Sequence, residues 1–550
     1  MFVGSGYPDL SGAARVTMGD QGPLPVDDDR LSICRFLLRA GSEHPAAPAV
    51  ITDREPLTYG ELLARARTVA ALLSSEVREN PRIALLAENG PTYVVLYWGI
   101  LLAGGVTVEL NPGLGDLELD WQLRNADPAL LLAEGRHERR LSALGLATAG
   151  GRRAGGGSRE ARAGRVIAGR PGGAVTAGLV AGLELALAAA SATAVETGLP
   201  AGDAPASIVH TSGTTGRTKG VCLSHRNLAW TTVAIAASFG LDRSATGERF
   251  AGNLPLFYTY GKSVLHLATW LAAPVVISTN LFTPDSFIEL IRTGKVTHLS
   301  LVPYLCNLLM RSPDFASSFL PDVRRVTIAG GALTREPLLE MLRRFPRRVQ
   351  PMYGLTEAST RVVCMPAGEA EERPESCGRP IDGVTLRILG ENGEALPAGE
   401  TGEVALEGPN VMLGYFRDRE TTKQALSDGW LRSGDIGRLS ADGYLTISGR
   451  RKDMIKIFGE SVSAFSIETA IATLPGVAEV AVKGMPHPVS GEAICAFVVP
   501  REGESVSEME IRMHCATTLG KARVPGRIRI IDELPKTASG KVRKNLLVTD

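Results

Sequence analysis

A chain of 550 residues is too long for one ordinary hydrophobic core, so its length predicts several domains or subdomains. Hydrophobic residues make up 44% and charged residues 21%, a balance typical of a soluble globular protein. Basic and acidic residues both number 59, so the formal net charge is zero. A balanced chain has no bulk electrostatic attraction to nucleic acid or to an anionic membrane, and we expect neither as a partner.

The cysteines and the N-terminus indicate the compartment. The seven cysteines are scattered without a C-x-x-C pair, which argues against a disulfide framework or a zinc site and favours a reducing environment. The N-terminus lacks the basic start and apolar run of a signal peptide. We therefore expect a cytoplasmic protein without stable membrane insertion. Residues 1 to about 30 are polar and rich in glycine and proline, which predicts a loose tail.

Helical and strand patterns alternate from Leu57 to Pro128. TYGELLARARTVAALLSSEV predicts a helix with Thr58 as N-cap and Glu61 completing a capping box. RIALLAEN and VTVEL predict buried strands on either side of the helical stretch YVVLYWGILLAGG. This alternation predicts a βαβ architecture with a mostly parallel sheet.

Residues 150–174 have a different composition, because 20 of these 25 positions are glycine, arginine or alanine. With almost nothing apolar to bury, the stretch predicts a flexible surface insertion. After Ala204 the alternation resumes, with ASIVHTSG as a strand and SHRNLAWTTVAIAASFG as a helix. PVVIS, VTHLSLV and RRVTIAGG predict three further strands.

The last third of the chain contains two more patterns. From about 380 to 450, short β segments with turns predict an antiparallel subdomain. From 453 to 550, the strands VAEVAVKG and EAICAFVVP and the helix SEMEIRMHCATTLG predict a small α+β unit. The predicted fold is α/β: a large N-terminal domain, 1–450, with βα sheets and a small antiparallel β subdomain, followed by a small α+β C-terminal domain.

The stretch TSGTTGRTKG, residues 211–220, combines glycines, hydroxyls and a lysine between a predicted strand and a helix that we expect to begin near Ser224. Backbone N–H groups and a helix N-terminus that converge on a glycine-rich loop favour an anion. The spacing matches neither G-x-x-x-x-G-K-[ST] nor G-x-G-x-x-G. The stretch still predicts a polyphosphate site, formed by Thr211, Ser212, Gly213, Thr214, Thr215, Gly216 and Lys219.

This loop resembles the phosphate loop of the adenylate-forming superfamily, which includes acyl-CoA synthetases, adenylation domains of nonribosomal peptide synthetases and firefly-luciferase-like enzymes. Other stretches resemble motifs of the same superfamily and follow in the same order: LTYGEL, LLAGGVTVELNP, AGGAL, MYGLTE, GEVALEGPNVMLGY, WLRSGD, GRRKDMIK and PKTASGK. On these motifs the chain is identified as a member of the acyl-CoA synthetase, or AMP-dependent ligase, branch.

The resemblance implies a role for several residues. Tyr353 would stack on the adenine of ATP, Asp435 would accept both ribose hydroxyls, and Arg450 would also contact the ribose. Glu357 would bring Mg²⁺ to the phosphates. Gly331, Ala332, Gly354 and Thr356 would complete the nucleotide site.

The resemblance further implies catalysis by Lys541, which would reach the substrate carboxylate and the α-phosphate. Glu357 and Thr211 would be the other catalytic residues. Lys452 matches the hinge position, so the hinge would lie at 451–452 and make the C-terminal domain a mobile lid. The implied cofactors are ATP, Mg²⁺ and coenzyme A.

The implied reaction has two halves. A carboxylate attacks the α-phosphate of ATP and expels pyrophosphate, and a thiol then attacks the acyl-adenylate and releases AMP. Amino-acid-activating relatives place an aspartate after the phenylalanine of the pocket, whereas Tyr258 follows Phe257 here. We therefore expect an apolar or aromatic acid that is not an α-amino acid. The pocket would be formed by Phe257, Tyr258, Tyr260, Gly261, Val302, Gly330 and Gly331.

One departure from the superfamily pattern leaves the second half-reaction open. Relatives commonly have V-x-P-x-E-[IVL]-E where this chain has VSAFSIE, so Ala464 and Ser466 replace proline and glutamate while Glu468 remains. The alternatives to an acyl-CoA ligase are a ligase that loads a carrier-protein phosphopantetheine, an enzyme competent in only one half-reaction, and a nucleotide-binding pseudoenzyme. The identity of the acid and the oligomeric state stay open.

Overall fold

The computed structural model describes residues 31–53, 55–77, 81–144, 148–149, 166–169, 198–212, 218–278, 283–310, 312–317, 320–331, 335–457, 460–520, 523–536 and 542–549. The predicted tail, 1–30, lies outside this part of the chain. Of the predicted insertion, 150–174, only Val166–Gly169 is described, and it forms a strand.

Strands of the described chain are numbered in order. They are β1 (Pro48–Ile51), β2 (Leu57–Thr58), β3 (Arg82–Leu86), β4 (Val106–Glu109), β5 (Leu130–Glu134), β6 (Thr148–Ala149), β7 (Val166–Gly169), β8 (Pro205–Ser212), β9 (Thr218–Ser224), β10 (Phe250–Ala251), β11 (Val275–Val276), β12 (His298–Leu301), β13 (Arg325–Ile328), β14 (Val349–Tyr353), β15 (Val363–Cys364), β16 (Arg379–Pro380), β17 (Thr385–Leu389), β18 (Thr401–Glu407), β19 (Gly414–Tyr415), β20 (Leu426–Ser427), β21 (Trp430–Leu439), β22 (Leu445–Arg450), β23 (Met454–Ile457), β24 (Glu460–Ser463), β25 (Val477–His487), β26 (Gly491–Pro500) and β27 (Arg527–Ile530).

These strands form four sheets. Two belong to the predicted βα region, in the orders β16-β15-β14-β13-β12-β10-β11-β1-β2 and β19-β9-β8-β4-β3-β5-β7-β6. Their inner strands are parallel and their edges antiparallel, so the predicted parallel sheet is mixed. A third sheet, β17-β18-β21-β20 with β22 on β21, is antiparallel and matches the predicted β subdomain. The fourth, β24-β23-β26-β25 with β27 on β26, belongs to the C-terminal unit.

Helices connect the strands and cover the two mixed sheets. Their bounds are Cys34–Glu43, Tyr59–Glu76, Pro91–Leu102, Asp116–Ala126, Glu138–Ala143, His225–Ser238, Thr259–Trp270, Pro284–Thr293, Pro303–Met310, Pro313–Ser317, Arg335–Arg344, Arg419–Ala425, Ala464–Ala472 and Glu508–Leu519. The predicted capping box is confirmed, because the Thr58 hydroxyl accepts from Glu61 N and Thr58 N donates to the Glu61 carboxylate. Such a box satisfies two backbone donors that the first turn leaves free.

The helix Pro91–Leu102 is apolar on nearly every side and lies in the interior. Its sequence, PTYVVLYWGILL, has no polar face to expose, which is the composition of a helix covered all round. Tyr93 and Tyr97 within it keep their hydroxyls satisfied by Leu256 O and His266 Nε2. No helix of the described residues is long and apolar enough to cross a membrane.

All seven cysteines lie in the described part of the chain as free thiols, six buried and Cys377 partly buried. Burial raises the pKa of Cys34, Cys222 and Cys377 to about 12. The same cause raises the pKa of Cys306, Cys364, Cys495 and Cys515. Because a buried thiolate loses its hydration, these side chains stay protonated at neutral pH.

Candidate active site

The threonine- and glycine-rich stretch 211–220 lies at the end of a β-hairpin. Strands β8 and β9 pair antiparallel, with Thr211 opposite Lys219 and Ser212 opposite Thr218. The predicted start of the helix near Ser224 is confirmed, because Ser224 caps the helix His225–Ser238, but the intervening TKGVCLS forms β9, a strand that was not predicted. Seven strand residues at roughly 3.3 Å each place that helix N-terminus about 20 Å from the loop. Any phosphate at the loop is therefore held without that helix.

Several residues predicted for the nucleotide site or for catalysis lie outside the described chain. These are Gly213, Thr214, Thr215 and Gly216 of the loop, together with Ala332 and Lys541. Thr211 and Lys219, which begin and end the hairpin tip, are described. The geometry of the site therefore rests on the residues that surround the loop.

Lys219, Tyr415 and Glu357 form one cluster beside the hairpin. The Lys219 ammonium lies 5.1 Å from the Tyr415 ring centroid, and the Tyr415 hydroxyl donates to Glu357 Oε1 at 2.9 Å. Tyr415 reaches this position because β19 pairs with β9, with Tyr415 opposite Val221. Burial, and then the Glu357 carboxylate, raise the pKa of Tyr415. A protonated phenol therefore links the predicted metal ligand to the predicted phosphate-binding lysine.

Asp435, Tyr353 and Arg450 form a second cluster. Asp435 Oδ2 accepts from the Tyr353 hydroxyl at 2.7 Å, and Asp435 Oδ1 pairs with Arg450 Nε at 2.9 Å. Asp435 lies opposite Arg450 in the β21–β22 ladder and is 4% exposed. Burial, reinforced by Asp435, raises the pKa of Tyr353 well above its ordinary value. For Arg450, burial acts to lower the pKa, but Asp435, Tyr353 and Glu357 raise it overall.

A tight turn brings Tyr353 and Glu357 to the same edge of the sheet. β14 ends at Tyr353, and a Cβ on Gly354 would lie 1.7 Å from Thr360 O, so only glycine fits there. Thr356 and Glu357 then form a 3₁₀ turn, Thr356–Ala358. Asn410 Nδ2 donates to Ala358 O at 3.3 Å and to Arg361 O at 2.9 Å, which fixes the turn from the other side.

The predicted acid pocket lies at the start of the helix Thr259–Trp270. Asn89 holds the preceding loop, because its amide donates to Leu254 O at 2.7 Å and its oxygen accepts from Leu256 N at 2.9 Å. The Phe257 and Tyr258 rings then lie 4.6 Å apart between centroids. Gly261 has no room for a side chain, since a Cβ would lie 2.3 Å from Pro255 O.

The remaining pocket residues come from the ends of β12 and β13. The Tyr260 hydroxyl contacts Thr327 Oγ1 at 2.9 Å. Gly330 has φ +86° and lies against Val302, whose Cγ1 would be 3.3 Å from an added Cβ. Gly331 is exposed and borders Pro303. Two small cavities lie between the helices His225–Ser238 and Thr259–Trp270 and share Ser263.

The predicted hinge residue, Lys452, lies in the 3₁₀ turn Arg451–Asp453 between β22 and β23. Burial, then Arg450, lower the pKa of Lys452, and Lys544 acts in the same direction. The turn thus connects the Asp435 cluster directly to the C-terminal sheet. The C-terminal unit also contacts the large domain elsewhere, with the Lys536 ammonium 5.0 Å from the Tyr304 ring centroid.

The departure VSAFSIE lies at the start of the helix Ala464–Ala472, which Ser463 caps by accepting from Ser466 N at 3.3 Å. Ala464 and Ser466 are the first and third helical residues, where proline and a capping-box glutamate are favoured for helix initiation. Glu468 accepts from Val482 N at 2.7 Å and pairs with Lys544 at 2.7 Å. Both replacements therefore lie in the first turn of the helix. The retained Glu468 connects this helix to β25 through Val482 and to the C-terminal segment through Lys544.

The described side chains contain no group of three or more histidine, cysteine or acidic residues that could hold a metal by themselves. Glu357 fits a site that is completed by phosphate oxygens, because Mg²⁺ is commonly held by one or two carboxylates plus substrate phosphates. Its Oε1 accepts from Tyr415, so the carboxylate is oriented by a neighbour.

Sequence reasoning missed three features of this region. Tyr415 is the last residue of the superfamily-like stretch GEVALEGPNVMLGY, so the sequence did contain a signal for it. Lys262 and Glu109 form a fully buried ion pair, which Ser207 also contacts. Arg361 is buried beside the acid pocket. The last two carry no sequence signal, because each depends on packing between distant segments.

Comparison with known proteins adds independent findings. The sequence model for the AMP-binding enzyme family matches residues 37–416, and that for the AMP-binding enzyme C-terminal domain matches residues 466–541. The chain is 32% identical over 508 residues to a feruloyl-CoA synthase of an Amycolatopsis species, covering 92% of this chain and 96% of that one. It is 29% identical to an indoleacetate–CoA ligase of Aromatoleum aromaticum, covering 94% and 97%.

Solved structures are similar over the same extent. The o-succinylbenzoate CoA synthetase from Bacillus subtilis, in complex with its acyl-adenylate intermediate, superposes with a TM-score of 0.78 at 25% identity, covering 93% of this chain and 97% of that one. ATP-bound MatB from Rhodopseudomonas palustris gives a TM-score of 0.78 at 27% identity, with the same coverage.

Proposed function

The chain belongs to the AMP-binding enzymes, in the acyl-CoA synthetase branch of the adenylate-forming superfamily, and from this premise we propose which residues carry out each step of its reaction. It is an AMP-forming acyl-CoA ligase that uses ATP to activate a carboxylic acid. A carboxylate oxygen attacks the α-phosphorus, and the bond to the β-phosphate breaks to release pyrophosphate. The sulfur of coenzyme A then attacks the acyl carbonyl, and AMP leaves.

The observation that carries the residue assignment is the convergence of two polar clusters from separate segments. Asp435, with Arg450 and Tyr353, binds the nucleoside: the carboxylate accepts the ribose hydroxyls and the tyrosine ring lies against adenine. Glu357, with Tyr415 and Lys219, faces the phosphates. Bound Mg²⁺ supplies charge neutralisation on the phosphate oxygens, and Glu357 holds it.

The acid has an aromatic or apolar body. Phe257 and Tyr258 offer ring faces at the pocket, and Tyr258 stands where amino-acid-activating relatives place an aspartate. Without a carboxylate at that position, an α-ammonium group would be desolvated without a partner, which disfavours amino acids. The relatives named for feruloyl-CoA and indoleacetate take acids with aromatic rings, which agrees with this pocket.

Lys541 promotes adenylation by offsetting the negative charge that grows where the carboxylate meets the α-phosphate. The flanking residues Lys536 and Val542 are paired by a β-bridge, and Lys536 contacts Tyr304, two residues beyond the pocket residue Val302. This contact supports a lysine-bearing loop that starts beside the acid pocket. Rotation about Lys452 then removes the loop and presents another face of the C-terminal domain for the thiol step.

The test is a panel of aromatic, aliphatic and amino acids with ATP, Mg²⁺ and coenzyme A, in which pyrophosphate, AMP and thioester are measured separately. We expect all three products in equal amounts with the best aromatic acid. Pyrophosphate without thioester, followed by acyl transfer only to a phosphopantetheinylated carrier protein, would contradict coenzyme A as acceptor. An Asp435→Ala variant controls for contaminating ligases, since at an ATP concentration below its Kd it should form less of all three products in the same proportion.

A further inference from the structure

Arg361 is a buried cation without a counter-charge. Its side chain is 3% exposed, and no carboxylate lies within ion-pair distance of it in the described chain. Nη1 is completely buried and has no hydrogen-bond partner there. Burial lowers the pKa of Arg361, but a guanidinium still keeps its charge at neutral pH. An unpaired buried charge is strongly unfavourable, so its retention calls for a specific explanation.

The Phe239 ring does not provide that explanation. The Arg361 guanidinium lies 5.1 Å from the Phe239 centroid, but Arg325 already lies over the same ring at 4.2 Å. Arg325 is satisfied by hydrogen bonds to Gln350 Oε1 and, at 2.7 Å, to Phe239 O. Burial lowers the pKa of Arg325 to about 10, and Arg361 contributes to this lowering as a like charge. Two guanidinium groups beside one ring repel each other, and of the two groups only that of Arg325 has hydrogen-bond partners in the described chain.

Arg361 lines one of the two small cavities beside the helix Thr259–Trp270. Thr327 lines the same cavity, and its Oγ1 contacts the hydroxyl of the predicted pocket residue Tyr260 at 2.9 Å. Burial raises the pKa of Tyr260 to about 12, and the charge of Arg361 acts in the opposite direction. Arg361 therefore lies close to Tyr260, at the edge of the predicted acid pocket.

Hydroxyl groups line the same cavity as Arg361. Ser300 and Thr327 both contribute to it, and their hydroxyls lie 3.1 Å apart. A guanidinium with neighbouring hydroxyl donors is the arrangement that binds carboxylates and other oxyanions.

We propose that the acid substrate carries a second anionic group, a carboxylate or sulfonate, which Arg361 binds beside Tyr260 with the Ser300 and Thr327 hydroxyls. This rests on the proposed function, and it adds a polar end to an otherwise aromatic or apolar body. Arg361 is thus a specificity-determining residue: the anion of the correct acid supplies the counter-charge that the protein lacks.

The experiment compares matched acids that differ only at the distal end: 3-phenylpropionate, 3-(4-carboxyphenyl)propionate and 3-(4-sulfophenyl)propionate. Pyrophosphate release gives kcat/KM for each acid. The parent enzyme should prefer at least one dianionic acid over the monoacid by roughly 10- to 150-fold, the range expected for one charge-assisted hydrogen bond. In Arg361→Met this ratio should fall by the same factor, with the loss mainly in KM, and Arg361→Lys should recover part of it.

Arg325→Met is the matched control, because it removes a buried guanidinium from the same ring but not from the cavity. It should leave the preference ratio unchanged. Thermal unfolding separates a structural role from a binding role: Arg361→Met should melt no lower than the parent, since it removes an unpaired charge. A dianionic acid should raise the melting temperature of the parent but not of Arg361→Met.

Equal use of mono- and dianionic acids by the parent, or equal loss of both in Arg361→Met, would overturn the proposal. Failure of the proposed function is distinguishable, because it would appear as no pyrophosphate release with any acid. In that event calorimetry measures binding of the dianionic acid directly. Binding to the parent that disappears in Arg361→Met would support the proposal, and absence of binding to the parent would reject it.

Discussion

Replacement of Asp435 should selectively weaken nucleotide binding. The carboxylate is 4% exposed and has both oxygens engaged, one by Tyr353 and one by Arg450. In the proposed complex it also accepts the ribose hydroxyls, so Asp435→Ala removes at least one hydrogen bond to a charged acceptor. Such a bond is worth ~1.5–3 kcal/mol, which corresponds to a rise of roughly 10- to 150-fold in the Kd for ATP.

Two further variants make the measurement specific. Asp435→Asn keeps the shape and one acceptor oxygen, so we expect a smaller loss that falls between parent and alanine. Asp442→Ala removes an aspartate from the turn of the same β21–β22 hairpin, where Asp442 accepts from the Ser440 hydroxyl at 2.5 Å and forms an exposed pair with Arg373, away from the Asp435 cluster. Exposed pairs contribute little, and this variant should bind ATP like the parent.

Isothermal titration calorimetry with ATP and Mg²⁺ measures the affinity, and thermal unfolding checks that each variant is folded. A folded Asp435→Ala protein with parental ATP affinity would refute the ribose assignment. A rise in Kd of similar size in Asp442→Ala would show that the hairpin as a whole, and not the carboxylate, is responsible.

Three other predictions concern the half-reactions, the acid and the pH. Lys541→Ala should slow adenylation by ~10²–10³ but form thioester from pre-made acyl-adenylate at close to the parent rate. Lys452→Pro should form the adenylate at close to the parent rate and form thioester more slowly. Equal loss of both steps in Lys541→Ala would contradict this division. Free α-amino acids should drive no pyrophosphate release, and a rate matching that of the best aromatic acid would disprove the pocket assignment. Burial lowers the pKa of His210 and His225 to about 4 in the folded state, so the unfolded chain takes up protons first as pH falls from about 6.5 to about 4. The free energy of unfolding should therefore decrease over that window, by up to roughly 3 kcal/mol per histidine, and urea titrations should show a shallower decrease in His225→Asn.

Features encoded by neighbouring residues could be predicted, and features made by distant segments could not. The capping box from Thr58 to Glu61 spans only four residues, and the structure confirms it. The helix expected near Ser224 does begin at His225, but the strand TKGVCLS before it was not predicted, because it forms only through its pairing with β8. Tyr415 and Glu357 are 58 residues apart, and no local pattern joins them.

Arg361 illustrates the limit most clearly. In sequence it is a charged residue five positions after a threonine of MYGLTE, and charged residues are ordinarily solvated. Its burial results from packing against Phe239 and the cavity wall, which come from other parts of the chain. Residues that belong to a superfamily motif could be predicted by resemblance. The burial of Arg361 could not, because it depends on packing between segments that are distant in the sequence.

The state of the cysteines has a practical and a chemical consequence. With all seven thiols shielded and their pKa values raised, the folded protein holds almost no thiolate at neutral pH. The protein thiols are therefore poor competitors of the acceptor thiol for attack on the acyl carbonyl of the adenylate. For the same reason a thiol-reactive dye added to the native reaction mixture counts remaining coenzyme A rather than enzyme, so thioester formation can be followed continuously without blocking or mutating a single cysteine.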